Sequence, residues 1–118
     1  MPAEHIEVGV RHKPGVAIID LRGEINAFAE EPLNAAYGDA ESSDPRGILL
    51  NFDSVDYINS TGIALIVGLL GRARGSGRRL LACGLSDHYV EIFNITRLAE
   101  FMSLFPDEAS ALADVPVS

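Results

Sequence analysis

The chain has 118 residues, 47% of them hydrophobic, which is long and apolar enough to bury the core of one domain, expected over residues 1–118. Its net charge is −8, from 17 acidic and 9 basic residues. This argues against nucleic-acid binding, which needs a net basic face. No apolar run reaches the ~18–20 residues of a membrane span, and the charged N-terminal segment lacks the apolar stretch of a signal peptide, so we expect a cytoplasmic protein.

The first elements are predicted to form a β-hairpin. Residues 6–12 alternate apolar and polar side chains, as a half-buried strand does. Pro14-Gly15 is a turn pair, because proline presets its φ angle and glycine accepts a positive one. Residues 16–23 form the second strand, and the short connection makes the pair antiparallel.

A helix is predicted over residues 26–40. Asn26 is a plausible N-cap, and Pro32 is compatible with a helix only if the regular part begins near it. The apolar stripe of this helix is predicted to consist of Phe28, Leu33, Ala36 and Tyr37.

Strands and helices then alternate to the end of the chain. Gly75 to Gly77 end the second helix, and Ser86 is the predicted cap of the third. The remaining elements are a strand over 48–52, a helix over 60–74, a strand over 78–84, a helix from 86, a short strand within 101–105 and a terminal helix over 106–115. The order β-β-α-β-α-β-α-β-α predicts an α/β domain whose mixed central sheet has parallel later strands.

No motif indicates catalysis, so we do not expect an enzyme. There is no G-x-x-x-x-G-K-[ST] phosphate loop and no G-x-G-x-x-G, and Ser60 is not part of a G-x-S-x-G elbow. The histidines are scattered and there is only one cysteine, so we expect neither a metal site nor a cofactor. Cys83 lies in a strand-like run, so we expect its thiol to be buried. Five of the nine basic residues fall between Arg72 and Arg97. This cluster is either a local anion or partner site, or the solvated end of a helix and the turn after it.

Small polar residues stand directly before the apolar second helix, as Ser60-Thr61-Gly62. Ser60 fits an N-cap, where its hydroxyl would accept a backbone N–H. A cap can also be modified: a phosphate is tolerated at a helix N-terminus, yet adds close to two negative charges to the surface beside it.

The second helix is predicted to have two distinct sides. The core-facing stripe consists of Ile63, Ile66, Val67 and Leu70. A second stripe contains only small residues, Ala64, Gly68 and Gly71. A glycine within a helix costs about 1 kcal/mol relative to alanine, so something must approach the backbone closely there. The small stripe either packs inside the domain or forms a docking surface for a partner protein.

The element order, together with "GEIN" (23–26), "ILLNFDSVDYINSTGI" (48–63) and "FNITRLAEFM" (93–102), resembles the STAS domain of the bacterial anti-sigma factor antagonists. The resemblance covers nearly the whole chain. It implies a small cytoplasmic protein without a cofactor that, when unphosphorylated, binds a kinase-type anti-sigma factor and so frees a sigma factor. It also implies inactivation by phosphorylation of the serine directly before [ST]-G, which is Ser60 here.

Two aspartates of the family pattern are amides in this chain. The usual D-S-[ST]-G reads Asn59-Ser60-Thr61-Gly62, and the usual G-E-[IL]-D ends in Asn26. The hydroxyl is retained, so the resemblance still implies phosphorylation at Ser60. The alternative is a STAS protein without a switch, acting as a signalling scaffold or as a cytoplasmic accessory subunit of a lipid transporter. The expected partner-binding residues are Glu24, Asn26, Asn59, Thr61, Ala64 and Gly68.

Overall fold

The strands and helices follow the predicted order. A computed structural model describes residues 6–115, so both ends of the expected domain lie outside it. The elements are β1 Glu7–Lys13, β2 Val16–Ile25, α1 Glu30–Glu41, β3 Gly47–Ile58, α2 Ser60–Gly75, β4 Arg79–Cys83, α3 Asp87–Ile95, β5 Ser103–Phe105 and α4 Glu108–Ala113. Single 3₁₀ turns occur at Ala27–Ala29 and Leu98–Glu100. The longest helix has 16 residues, and over 6–115 no helix combines the length and apolar character that crossing a membrane requires.

The five strands form one mixed sheet whose spatial order, β1-β2-β3-β4-β5, is their order along the chain. The predicted hairpin is present: β1 and β2 are antiparallel, and the turn between them contains Gly15 at φ 80°. All later neighbours are parallel. Right-handed crossovers that always advance in the same direction place their helices on one face of the sheet, which accounts for α1, α2 and α3 sharing a face.

The two faces of the sheet are covered unequally. Under α1, α2 and α3 lies the larger hydrophobic core, whose largest fully buried side chains are Tyr37, Phe52 and Phe93. The opposite face is covered by Ala111 of the short α4 and by Val115, which follows that helix. The strand residues beneath α4 are Val16, Ile18, Leu49, Leu81 and Cys83. Cys83 is therefore buried, as predicted.

The first helix begins later than predicted. Residues 27–29 form a 3₁₀ turn capped by Asn26, and regular α-helix starts at Glu30. Pro32 then lies in the first turn, where a missing N–H removes no helical hydrogen bond. Phe28 was expected on the buried stripe, and this is wrong: it projects from the 3₁₀ turn and is 75% exposed. The other residues of the predicted stripe are buried: Leu33, Ala36 and Tyr37.

Strand β3 is longer than the five residues predicted, because it continues past the end of its pairing with β4. This second half pairs only with β2. Pairing with β4 stops where Asn51 meets Cys83. Residues 53–58 continue beyond that point beside residues 22–25 of β2, through two irregularities in the register. This two-stranded extension, called here the ribbon, carries the start of α2.

Candidate functional site

The two sequence motifs of the predicted switch meet at the end of the ribbon. The backbone N–H of Asn59 donates to the carbonyl oxygen of Ile25 at 3.2 Å. Asn26 follows Ile25 directly, and its side-chain amide donates to a carboxylate oxygen of Glu24 at 3.5 Å. The structure therefore brings Glu24 and Asn26 beside Asn59, Ser60 and the first turn of α2.

Asn59, rather than Ser60, is the N-cap of α2. The side-chain oxygen of Asn59 accepts the backbone N–H of Gly62 at 2.8 Å, and its backbone is extended. Ser60 is the first helical residue, so its predicted capping role is wrong by one position. Asn26 acts in the same way, since its side-chain oxygen accepts the N–H of Phe28 at 2.9 Å. Aspartate and asparagine cap helices about equally well, so both amides retain the structural role of the expected acids.

Gly62 permits a contact that no other residue could make. It is buried, and a Cβ atom there would overlap the carbonyl oxygen of Ile25 and lie 2.9 Å from Cγ2 of Ile58. The first turn of α2 therefore packs directly on the end of β2. This contact fixes the position of Ser60 relative to the loop that begins at Asn26.

Ser60 and Thr61 are both exposed. Within residues 6–115 their side-chain hydroxyls form no hydrogen bond, and neither of their backbone N–H groups has an acceptor. Unpaired N–H groups and the positive end of the helix dipole favour a negative charge at this point.

A buried hydrogen bond connects the site to α3. The Tyr89 hydroxyl accepts the backbone N–H of Ile58 at 2.8 Å, one residue before the Asn59 cap. Ser86 caps α3 as predicted, accepting the N–H of Tyr89 at 3.4 Å. The hydrophobic pattern predicts burial of the Tyr89 ring, but the partner of its hydroxyl depends on how β3 and α3 pack.

The small residues of α2 face solvent. A Cβ atom at Gly68 or Gly71 would meet nothing within 4 Å, and Ala64 is exposed. The interpretation that this stripe packs inside the domain is therefore wrong. Val67, expected to face the core, is 47% exposed, and Ile63 is half-buried. Ile66 and Leu70 are buried as predicted, and the buried side of α2 is completed by Gly62, Leu69 and Ala73.

The site carries a negative charge. The segments that build it, residues 22–37 and 53–71, contain one basic residue, Arg22, which pairs with Glu7 at 3.6 Å. They contain five carboxylates, Glu24, Glu30, Glu31, Asp53 and Asp56. None of these forms an ion pair with another residue of the described part of the chain. Over the same residues, no cluster of three or more histidine, cysteine or acidic side chains is arranged to hold a metal ion.

Known proteins share this sequence pattern and fold. The STAS domain family model matches residues 7–111. The anti-sigma-B factor antagonist of Staphylococcus aureus (strain NCTC 8325 / PS 47) is 29% identical over 84 residues, which cover 71% of this chain and 78% of the relative. An anti-sigma factor antagonist from Mycobacterium paratuberculosis has a TM-score of 0.78 at 21% identity, over 97% of both chains. The Bacillus cell fate determinant SpoIIAA in its phosphorylated form has a TM-score of 0.70 at 20% identity, over 91% of this chain and 97% of SpoIIAA. The protein belongs to the STAS domain family.

Proposed function

We propose that the protein is an anti-sigma factor antagonist whose activity is switched by phosphorylation of Ser60. Unphosphorylated, it binds a serine-kinase-type anti-sigma factor, which then releases its sigma factor. The observation that carries the proposal is the exposed Ser60 hydroxyl at the start of α2, beside a helix face that contacts nothing else in the described chain. Family membership and the names of the relatives support the same function.

A phosphate on Ser60 is compatible with the fold. The hydroxyl oxygen of Ser60 would attack the γ-phosphorus of ATP held by the kinase, lose its proton to a base of the kinase, and release ADP. Neither the hydroxyl nor the N–H groups of Ser60 and Thr61 would have to break a hydrogen bond within residues 6–115. The Asn59 cap would stay intact, and the helix dipole would favour the added charge.

The same phosphate would oppose binding of the partner. It adds close to two negative charges and three strongly hydrated oxygens at the centre of the proposed interface. Packing a partner over them would require removal of that hydration, which is costly for a charged group. The phosphate would also face the phosphate groups of the nucleotide that the kinase holds. The phosphorylated protein should therefore stay folded and release the anti-sigma factor.

The proposed docking surface joins the end of the ribbon to the outer side of α2. Its small side chains allow close approach of a partner backbone, which gives a reason for a glycine at position 68 despite its cost of about 1 kcal/mol within a helix. The residues assigned to this surface are Glu24, Asn26, Asn59, Thr61, Ala64 and Gly68.

Phosphorylation by candidate anti-sigma factors tests the switch. The protein, Ser60→Ala and Thr61→Val would each be incubated with the purified kinase and ATP, and peptides mapped by mass spectrometry. We expect one phosphate on Ser60 in the wild-type protein and in Thr61→Val, and none in Ser60→Ala. Phosphate on Thr61 of the wild-type protein would show that Thr61, and not Ser60, is the phosphorylated residue, and would refute the proposed switch.

The docking surface has its own test. Gly68→Arg should fold normally, because the site is open, and should lose partner binding, because the arginine blocks close approach. Gly38→Arg is the matched control, since a Cβ at Gly38 of α1 also meets nothing within 4 Å. Ser60→Asp should weaken binding less than true phosphorylation does, because it carries less charge. Undiminished affinity of Gly68→Arg would place the interface elsewhere.

One observation favours the alternative of a STAS protein without a switch, acting as a signalling scaffold or as an accessory subunit of a lipid transporter. Both acidic residues of the family pattern beside the hydroxyl are amides, at Asn26 and Asn59, so the site lacks two charges that a kinase could recognise. Absence of phosphate on Ser60 with every candidate kinase, together with stable binding to another protein, would support this alternative.

A further inference from the structure

Phe28 is displayed to solvent on a rigid turn. Its side chain is 75% exposed, although a phenylalanine is normally among the more buried residues. The turn is fixed because the N–H of Phe28 donates to the side chain of Asn26, and the N–H of Ala29 donates to the backbone oxygen of Asn26, each at 2.9 Å. Ala29 is fully buried, which anchors the turn from below. The backbone that carries the aromatic ring is therefore already held in place before a partner binds.

Exposed apolar side chains are concentrated at the candidate site. Among residues 6–115, five large hydrophobic side chains are exposed, and three of them, Phe28, Tyr57 and Val67, lie on the segments that build the site. Tyr57 precedes the Asn59 cap by two residues and pairs with Glu24 across the ribbon. The turn that carries Phe28 packs against α2, the helix of Val67. A single exposed apolar residue is ordinary, whereas three on adjoining segments favour an interaction surface.

Carboxylates border this group. Glu30 and Glu31 follow Phe28 on the first turn of α1, and Glu24 precedes it. The one basic residue of the segments that build the site, Arg22, pairs with Glu7 at 3.6 Å. A surface that is apolar at its centre and negative at its edge is complementary to one that is apolar at its centre and positive at its edge.

We propose that Phe28 is the apolar anchor of the docking surface, and that the anti-sigma factor receives it in an apolar cleft bordered by lysine or arginine side chains. This inference rests on the proposed function and identifies the chemistry of the partner. The central aromatic contact sets the lifetime of the complex, because interface energy concentrates in a few well-packed anchors. The charged edge sets the association rate, because attraction between opposite charges steers the encounter.

Truncation of the anchor tests the first part. Binding to the purified anti-sigma factor would be measured by surface plasmon resonance for wild type, Phe28→Ala, Phe28→Leu and the control Ile95→Ala. Ile95 is 71% exposed on α3, outside the proposed surface. Phe28→Ala should raise the Kd at least about 30-fold, mainly through faster dissociation. Phe28→Leu should recover much of the affinity, and Ile95→Ala should change it less than about 3-fold.

Neutralisation of the border tests the second part. The double variant Glu30→Gln/Glu31→Gln should associate several-fold more slowly at low salt and show a weaker dependence of the association rate on salt. The control is Asp87→Asn/Glu91→Gln, which removes the same charge from α3 and should slow association less than the Glu30/Glu31 variant does. A faster association of the Glu30/Glu31 variant would mean that the partner surface is acidic, and would overturn the proposed border.

The outcomes separate this inference from the function on which it rests. If wild type binds a serine-kinase-type anti-sigma factor and is phosphorylated on Ser60, while Phe28→Ala binds within about 3-fold of wild type, the anchor is refuted and the proposed function stands. If no such kinase binds or modifies the wild-type protein, both fail. Weakened binding of Phe28→Ala with unchanged Ile95→Ala supports both.

Discussion

Alanine substitution at two glycines of α2 separates intrinsic helix preference from packing. Alanine is favoured over glycine within a helix by about 1 kcal/mol at either position. At Gly68 the added methyl group meets no atom within 4 Å, so Gly68→Ala should be more stable than wild type by about 0.5–1 kcal/mol. At Gly62 the same methyl group has no space.

The structure gives the size of the conflict at Gly62. The new Cβ would overlap the backbone oxygen of Ile25 and would lie 2.9 Å from Cγ2 of Ile58, about 0.6 Å inside the ~3.5 Å contact distance of two carbon atoms. The Ile25 oxygen is held by β2 and by its hydrogen bond from Asn59, so relief requires α2 to move off the sheet. Overpacking of this kind costs about 3 kcal/mol or more, which leaves Gly62→Ala less stable than wild type by about 2 kcal/mol after the helix preference is subtracted.

Urea denaturation followed by circular dichroism measures both variants. With a slope of about 1.5 kcal/mol per M, the midpoints of the two variants should differ by about 2 M, with Gly68→Ala above wild type and Gly62→Ala below. Equal slopes would show that the comparison concerns stability rather than the compactness of the unfolded chain. A Gly62→Ala variant as stable as wild type would refute the close contact between α2 and β2, and a less stable Gly68→Ala would refute the open outer face.

Three further predictions concern single side chains. Asn59→Ala should lower the free energy of unfolding by about 1 kcal/mol through loss of the cap, whereas Ser60→Ala should change it by less than about 0.5 kcal/mol; the reverse order in urea denaturation would contradict the cap assignment. Tyr89→Phe leaves the buried N–H of Ile58 without an acceptor and should cost about 1–3 kcal/mol by the same measurement, and a neutral effect would mean that another group replaces the hydroxyl. Burial raises the pKa of Cys83 to about 11, so at pH 8 only about a thousandth of the thiol is ionised. Ellman's reagent should therefore react far more slowly with the native protein than with the unfolded chain, and complete reaction of the native protein within seconds would contradict its buried position.

Elements with strong local signals could be predicted from the sequence. The hairpin follows from the alternation in β1 and from Pro14-Gly15, whose conformations are set within the turn itself. The third helix follows from the serine cap at position 86. Residues 53–58 of β3 could not be predicted, because their polar composition resembles a loop and their strand conformation depends on pairing with β2.

The position of the site in the chain could be predicted from its motif, but the capping residue of α2 and the rotation of that helix could not. Asn59 and Ser60 are both good capping residues, and the choice between them depends on the contact of Gly62 with Ile25, residues far apart in the chain. The core-facing side of α2 was predicted only in part, since Ile66 and Leu70 are buried but Val67 is exposed. A helix that contains several small residues has a weak hydrophobic pattern, so packing on the sheet decides its rotation. For the same reason Val67 was expected in the core.

The order of the strands has a consequence for how the chain folds. Because each strand pairs with the strand that precedes it in the sequence, the sheet can grow by addition at one edge, and each addition closes only a single crossover loop. A topology of this kind has lower contact order than one in which a late strand inserts between early ones, and lower contact order accompanies faster folding. During synthesis the β1–β2 hairpin emerges before β3 and can form before that strand arrives. The strand β5 has three residues and α4 has six, so we expect these short elements to be among the first described parts to detach when the native protein opens locally.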